Sequence, residues 1–232
     1  MFNADWLRLN KFQKSVNCLA GFFLLCIPVC GLSSVIDNKL LVSVLSIEEQ
    51  QKKTSGSVKK RFIAWEKLII QNQNATITKK LNVTNDFFNQ FNYINDDAFA
   101  GAADYWKTPH EFVIDGGGDC EDFSIAKYFT LLAMGVPVES LRITYVKSIP
   151  LNQAHMVLTF YPNPEDEPLV LDNLNAKILP ASSRKDLIPV YSFNGKGLWL
   201  AKQRGHDAPV GDSSRLGKWH SVLQRMIKGN KQ

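Results

Sequence analysis

Cysteine is scarce in this sequence. Four occur in 232 residues, and Cys18, Cys26 and Cys30 all fall within the first 33, so Cys120 is alone in the remainder. A single thiol excludes a disulfide framework. A zinc site is disfavoured as well, since neither a second cysteine nor a spaced histidine pair accompanies it. A large excess of positive charge is also missing: the net is +5, and about +3 once residues 1–33 are set aside, too little to argue for nucleic acid. The apolar run Val16–Leu32 is 17 residues long and broken by Pro28 and Gly31, which is short for a membrane-spanning helix. Internal repeats and low-complexity tracts are absent from the sequence.

What is present is enough apolar material for a core, with 45% hydrophobic and 11% aromatic residues. The N-terminus has the organisation of an export segment. Arg8, Lys11 and Lys14 precede the apolar run, and small residues at Gly31 and Ser33 offer a cleavage point before Ser34. The expected domain organisation is therefore a signal segment over 1–33 and one domain over 34–232, with a retained anchor as the alternative. Val29 before Cys30 makes a poor lipoprotein box. Removing the segment leaves a net charge of about +3 and one thiol. In an oxidising compartment such a leftover thiol is a candidate reactive group.

Along the chain, Phe62, Trp65, Leu68 and Ile69 recur at helical spacing over Val58–Asn72. A second helix is expected from about Asp86 to Ile94, carrying Phe87, Phe88, Phe91 and Ile94. After Cys120 a stripe of Phe123, Ala126, Phe129, Leu132 and Ala133 predicts a third, stopped by Gly135 and Pro137. Strands are expected over Leu141–Lys147, Ala154–Tyr161 and Pro168–Leu174, the last two joined as a hairpin by "PNPEDEP". The "GLWLAK" run at Gly197–Lys202 adds a further candidate strand. A terminal amphipathic helix carries Leu216, Trp219, Leu223, Met226 and Ile227 on one face and docks on its own domain. Helices followed by a motif helix and then antiparallel strands make an α+β domain.

The chemistry centres on "DGGGDCEDFS", in which Cys120 stands behind three glycines at a helix start. Unpaired amides and the helix dipole there favour an anion, and the thiolate is the nucleophilic form. The glycines are expected to open room for a substrate carbonyl against donor amides. Asp119 and Glu121 act the other way, raising the thiol unless a cation neutralises them. His155 opens a strand and Asp172 closes the next, so across the hairpin the carboxylate can reach the imidazole. His110, His206 and His220 compete for the base role, but none has a strand-borne acid opposite.

The stretch "YWKTPHEFVIDGGGDCEDFSIAKYFTLLAMGVP", with "AHMVL" and "LVLDNLN", resembles the bacterial transglutaminase-like cysteine proteinases. The resemblance is strong from Trp106 to Asn175 and loose in the flanking helices. It implies a papain-like, transglutaminase-like core with the motif helix packed on an antiparallel sheet behind N-terminal helices. It further implies Cys120 as nucleophile, His155 as general base and Asp172 as orienting acid. Calcium is the implied cofactor, with Asp119 and Glu121 as ligands and Asp122 as a third, a hard cation suited to carboxylate oxygens. The implied activity is periplasmic cleavage of a large surface adhesin at a di-alanine site in its N-terminal region, promoting biofilm dispersal. The implied controlling partner is an inner-membrane cyclic di-GMP receptor of LapD type. A transglutaminase or other acyltransferase using the same three residues, and a non-catalytic binding module, are the rival readings.

Overall fold

The computed structural model describes residues 47–95, 104–201 and 208–229. The export segment and His206 lie outside the described residues. Six helices occur among the described residues: α1 (Ile47–Lys53), α2 (Gly56–Asn72), α3 (Ile77–Phe88), α4 (Pro109–Asp115), α5 (Cys120–Ala133) and α6 (Gly217–Gly229). A two-stranded parallel pair joins β1 (Asn92–Tyr93) to β2 (Gly117–Gly118). The main sheet has seven strands: β3 (Leu141–Ser148), β4 (Gln153–Phe160), β5 (Leu169–Leu171), β6 (Leu179–Pro180), β7 (Leu187–Phe193), β8 (Leu198–Leu200) and β9 (Ala208–Gly211). Their spatial order is β6-β5-β4-β3-β7-β8-β9, antiparallel throughout. The fold is therefore α+β.

Helix α5 is the centre of the molecule. Every residue from Glu121 to Ala133 is buried, because apolar side chains occur on all its faces and not only on the expected stripe. Ile125, Tyr128 and Leu131 add the other sides. The helix lies between the N-terminal helices and the sheet. Trp65 of α2 donates from Nε1 to Thr130 Oγ1 at 2.8 Å, giving a fully buried indole its required acceptor. On the sheet side, Met156, Leu158 and Phe160 of β4 share the same core with Leu141 and Ile143 of β3. The alternate residues Val146, Val157 and Val170 form a second, smaller apolar cluster on the opposite face.

The second expected helix is displaced. It runs over Ile77–Phe88 and not Asp86–Ile94, starting at Thr76, whose hydroxyl accepts from the Lys79 amide. Its buried face is Leu81, Thr84, Asn85 and Phe88; two of these four are polar, which masks the helical period. Beyond Phe88 the chain turns and pairs β1 with the glycines of β2. The expected strand over Pro168–Leu174 shortens to Leu169–Leu171, because Asp172 turns its side chain to other partners. Helix α6 docks through Trp219, Val222 and Met226, while Ile227 stays exposed. The Trp219 ring stacks on Phe129 at 5.7 Å and meets Phe193 edge-on at 5.4 Å. Among the described residues no helix is long and apolar enough to cross a membrane.

Candidate active site

Two turns deliver Cys120 to its place. Helix α4 begins in a capping box, with the Thr108 amide donating to Glu111 Oε2 at 2.7 Å and the Glu111 amide to Thr108 Oγ1 at 3.3 Å. It ends at Gly116 in the left-handed region, φ 78°. The next two glycines are required by close neighbours. A Cβ on Gly117 would lie 2.0 Å from the Asn92 carbonyl oxygen, and one on Gly118 would lie 2.2 Å from Asp122 Oδ2. The expected role of the glycines, leaving room for a substrate carbonyl, is thus replaced by packing against β1 and against a buried carboxylate.

The thiol sits at the first position of α5, partly exposed. Its Sγ donates to Glu121 Oε2 at 3.0 Å. The Met156 amide lowers the thiol's pKa by a hydrogen bond, so the sulfur lies beside the residue that follows His155 on β4. Burial, then the Glu121 carboxylate and then Asp119 push the thiol far above its usual value. The expected loss of its proton at the helix start is therefore overridden in this arrangement, because desolvation and two acids outweigh the amides.

Across the hairpin His155 and Asp172 meet. His155 Nε2 and Asp172 Oδ1 are 2.8 Å apart, both side chains buried. That leaves Nδ1 as the ring nitrogen available to a thiol. Asp172 Oδ1 also accepts from the Leu174 amide at 2.9 Å, and Oδ2 accepts from Arg184 Nη2 at 2.7 Å. Burial resists ionisation of Asp172, but the hydrogen bond and charge of His155, the Leu174 amide and Arg184 prevail and bring it to about 2. The backbone of this corner is tied to α3 and its cap: Asn89 Nδ2 donates to the Asp172 carbonyl at 2.9 Å and Asn85 Nδ2 to the Ala176 carbonyl at 3.0 Å. Lys127, about two turns after Cys120 along α5, is buried and donates to Asn85 Oδ1 at 2.8 Å.

Sequence reasoning missed Arg184, Lys127, Asn85 and Asn89. Their signals are weak, since an isolated arginine or asparagine far from the motif carries no spacing to read. The rival histidines are elsewhere. His110 packs against the Trp65 and Phe62 rings, and His220 bonds Gln224 one turn along α6.

The three acids beside the cysteine separate into two groups. Asp122 Oδ1 accepts from the Lys107 amide at 2.7 Å and Oδ2 from the Asp119 amide at 3.3 Å. Burial followed by the Glu121 charge, against those amides and the Lys107 charge, raises Asp122 to about 7. Glu121 instead meets Asp104 side chain to side chain. Burial pushes Glu121 up, and the Asp104 charge adds to it. Asp104 is itself drawn below its usual value, despite burial, by Lys218 and the Trp106 indole N–H. No group of three ligating side chains is assembled among the described residues. Even so, two juxtaposed carboxyl groups next to Asp119 are an oxygen-only donor set, which fits a hard divalent cation and not zinc. Asp104 was not foreseen as part of it, whereas Asp122 is engaged with backbone amides.

Comparisons with known proteins agree with this geometry. Residues 59–201 match the family described as bacterial transglutaminase-like cysteine proteinase. Three solved structures of Legionella pneumophila LapG are 55% identical to the chain and each covers 79% of it. They are covered over 97%, 97% and 98% of their own lengths, with TM-scores of 0.72, 0.73 and 0.71. The second is an EGTA-treated form and the third is calcium-bound. No curated protein gives a significant match.

Proposed function

The chain belongs to the bacterial transglutaminase-like cysteine proteinases, and from that premise we propose that it is a periplasmic, calcium-dependent endopeptidase acting through Cys120, His155 and Asp172. The observation that carries the assignment of roles is the 2.8 Å contact between His155 Nε2 and Asp172 Oδ1, with the Cys120 sulfur bonded by the amide of Met156, the residue that follows His155. Asp172 holds the imidazole with Nε2 towards itself. His155 takes the thiol proton through Nδ1, and the sulfur attacks the peptide carbonyl carbon. The proton then passes to the leaving amine as the C–N bond breaks, leaving a thioester on Cys120. Water, deprotonated by the same imidazole, hydrolyses the thioester and restores the thiol.

Glu121 and Asp104, with Asp119 at the helix start, are the residues that would hold calcium. Bound there, the ion offsets the carboxylate charge that otherwise raises the thiol. Glu121 would then accept less readily from the Cys120 sulfur, freeing it for His155.

The substrate in this reading is the N-terminal region of a large surface adhesin, cut at a di-alanine site so that the adhesin leaves the cell and the biofilm disperses. Control falls to an inner-membrane cyclic di-GMP receptor of LapD type. Residues 1–33 supply export to the periplasm, and 34–232 the protease domain. The support for these finer points is the motif resemblance and the 55% identity to LapG. The test is incubation of the exported domain with an adhesin N-terminal fragment bearing a di-alanine site, with calcium, with a chelator, and as Cys120→Ala. A discrete cut requiring both calcium and Cys120 is expected. A cut that survives the chelator removes the calcium assignment, and one that survives Cys120→Ala removes the nucleophile.

A further inference from the structure

On the face of the sheet opposite α5 there is a cavity of about 900 Å³, whose lining includes Val146, Val157, Val170, Leu187 and Arg184. Val157 stands two residues after His155 on β4, and Val170 two residues before Asp172. The cavity and the His155–Asp172 pair are linked by Arg184, which lines the first and bonds the second. Arg184 lies between the two regions, buried to 5% exposure.

The guanidinium is held along its Nε–Nη2 edge by two carboxylates. Nη2 donates to Asp172 Oδ2 at 2.7 Å, while Nε and Nη2 donate to Asp186 Oδ1 and Oδ2 at 2.9 and 2.7 Å. The backbone around it is pinned too, with the Arg184 amide donating to the Ala181 carbonyl and the Leu187 amide to that of Arg184. Such a planar fork gripping two carboxylates leaves little rotational freedom, which lysine could not reproduce.

We propose that Arg184 is a positioning residue of the protease: it holds Asp172 ionised and in the orientation that presents His155 Nδ1 to Cys120, with Asp186 as its outer anchor. The inference rests on the reading of Asp172 as the orienting acid. Without the arginine, Oδ2 would lose its charged donor, and the carboxylate could rotate off the imidazole or take up a proton. Burial already presses Asp172 toward the neutral form, so loss of the opposing charge moves its titration upward. Activity needs ionised Asp172, so the acid limb of the pH–rate profile moves to higher pH as well.

The experiment compares wild type, Arg184→Met, Arg184→Lys, Asp186→Asn and Asp172→Asn, all with calcium, on the adhesin fragment between pH 4 and 9. Thermal unfolding of each and the His155 ring signals in NMR are recorded alongside. Arg184→Met is expected to lower kcat/KM about 10- to 100-fold at pH 7 and more below pH 6, with an acid limb absent from wild type. Arg184→Lys should recover part of both, and Asp186→Asn should show a smaller shift in the same direction. The His155 ring signals should move in Arg184→Met even without substrate. A wild-type pH profile and unmoved ring signals in a folded Arg184→Met overturn the inference, as does a uniform loss that Arg184→Lys does not relieve. Should Arg184→Met fail to fold, unshifted acid limbs in both Arg184→Lys and Asp186→Asn overturn it equally. Full activity in Asp172→Asn would instead remove the triad reading on which the inference stands, and is distinguishable by that variant alone.

Discussion

The Cys120 thiol donates a hydrogen bond to the residue that follows it, Sγ lying 3.0 Å from Glu121 Oε2. The contact keeps the nucleophile protonated, since a carboxylate that accepts from a thiol stabilises the neutral sulfur and repels the thiolate. The same carboxylate belongs to the pair suited to a divalent cation, because it also meets Asp104. In the proposed reading, metal occupancy and activation of Cys120 are joined through this one side chain.

Alkylation of Cys120 by iodoacetamide at pH 7 is therefore expected to be slow in chelator, slower than for a free cysteine. Addition of calcium should accelerate it by about tenfold or more, because one pKa unit is a tenfold change in thiolate at that pH. In Glu121→Gln the chelated protein should react faster than wild type, and calcium should no longer matter. Equal rates with and without calcium in the wild type would break the link between the two functions.

Replacing Asp172 tests the other half of the site. Asp172→Asn keeps a hydrogen-bonding group beside Arg184 but loses the charge that supports an imidazolium. Cleavage is expected to fall by on the order of 10³–10⁴ while the fold survives. Asp172→Ala should do worse in stability, by about 3–5 kcal/mol, because it strips Arg184 of its buried partner. The measurement is kcat/KM for both variants beside their unfolding free energies in denaturant.

The motif and its partners were legible in the sequence for a physical reason. Cys120, His155 and Asp172 stand at an element start and at two strand ends, where spacing and alternation leave few geometries. The strands over 141–148 and 153–160 are legible as β-rich apolar runs because both faces are covered, one by α5 and the other by the smaller valine cluster. The helix over 77–88 was displaced because Thr84 and Asn85 occupy buried positions. Asn85 holds Lys127 and the loop after Asp172, while Thr84 bonds the Met134 sulfur, so the displaced helix and the missed site residues share one cause at Asn85. Strand β7 was not anticipated. Ile188, Pro189 and Val190 are all exposed, so it has no alternation to find. Arg184 and Asp104 come from loops, where only the folded chain brings them to the site.

Buried Lys127 gives a prediction about stability. Burial lowers it to about 7, partly offset by the Asp172 charge, and its neighbours are Asn85 Oδ1 and the Phe123 ring. Between pH 7 and the unfolded lysine value of 10.5, the unfolded chain binds a proton that the folded one does not. Stability from this group therefore rises with pH across that window, and the full penalty applies below it. Lys127→Met should abolish the rise. At pH 6 it should be more stable by about 1–3 kcal/mol, the relieved desolvation being reduced by the Asn85 oxygen it leaves unpaired. Denaturant midpoints at pH 6 and 9 for both proteins decide this, and an unchanged slope with pH would place the titration elsewhere.

Gly117 and Gly118 can be separated from the chemistry they precede. A Cβ at Gly117 would strike the Asn92 carbonyl oxygen, and the Asn92 carbon and nitrogen lie at 2.9 and 3.1 Å from the same point. Backbone cannot yield as a side-chain tip can, so Gly117→Ala must part β1 from β2. At Gly118 the new methyl would meet the Asp122 carboxyl, with Cβ and Cγ at 2.7 and 2.8 Å. That carboxyl cannot swing aside without dropping the Lys107 and Asp119 amides. Both substitutions should cost about 1–3 kcal/mol or more as overpacking. Only Gly118→Ala should also weaken calcium affinity, since it moves Asp119 at the head of α5 next to Glu121. Isothermal titration with calcium, paired with thermal unfolding, distinguishes the two. Equal affinities in the two variants would mean that the turn before Cys120 is scaffold alone.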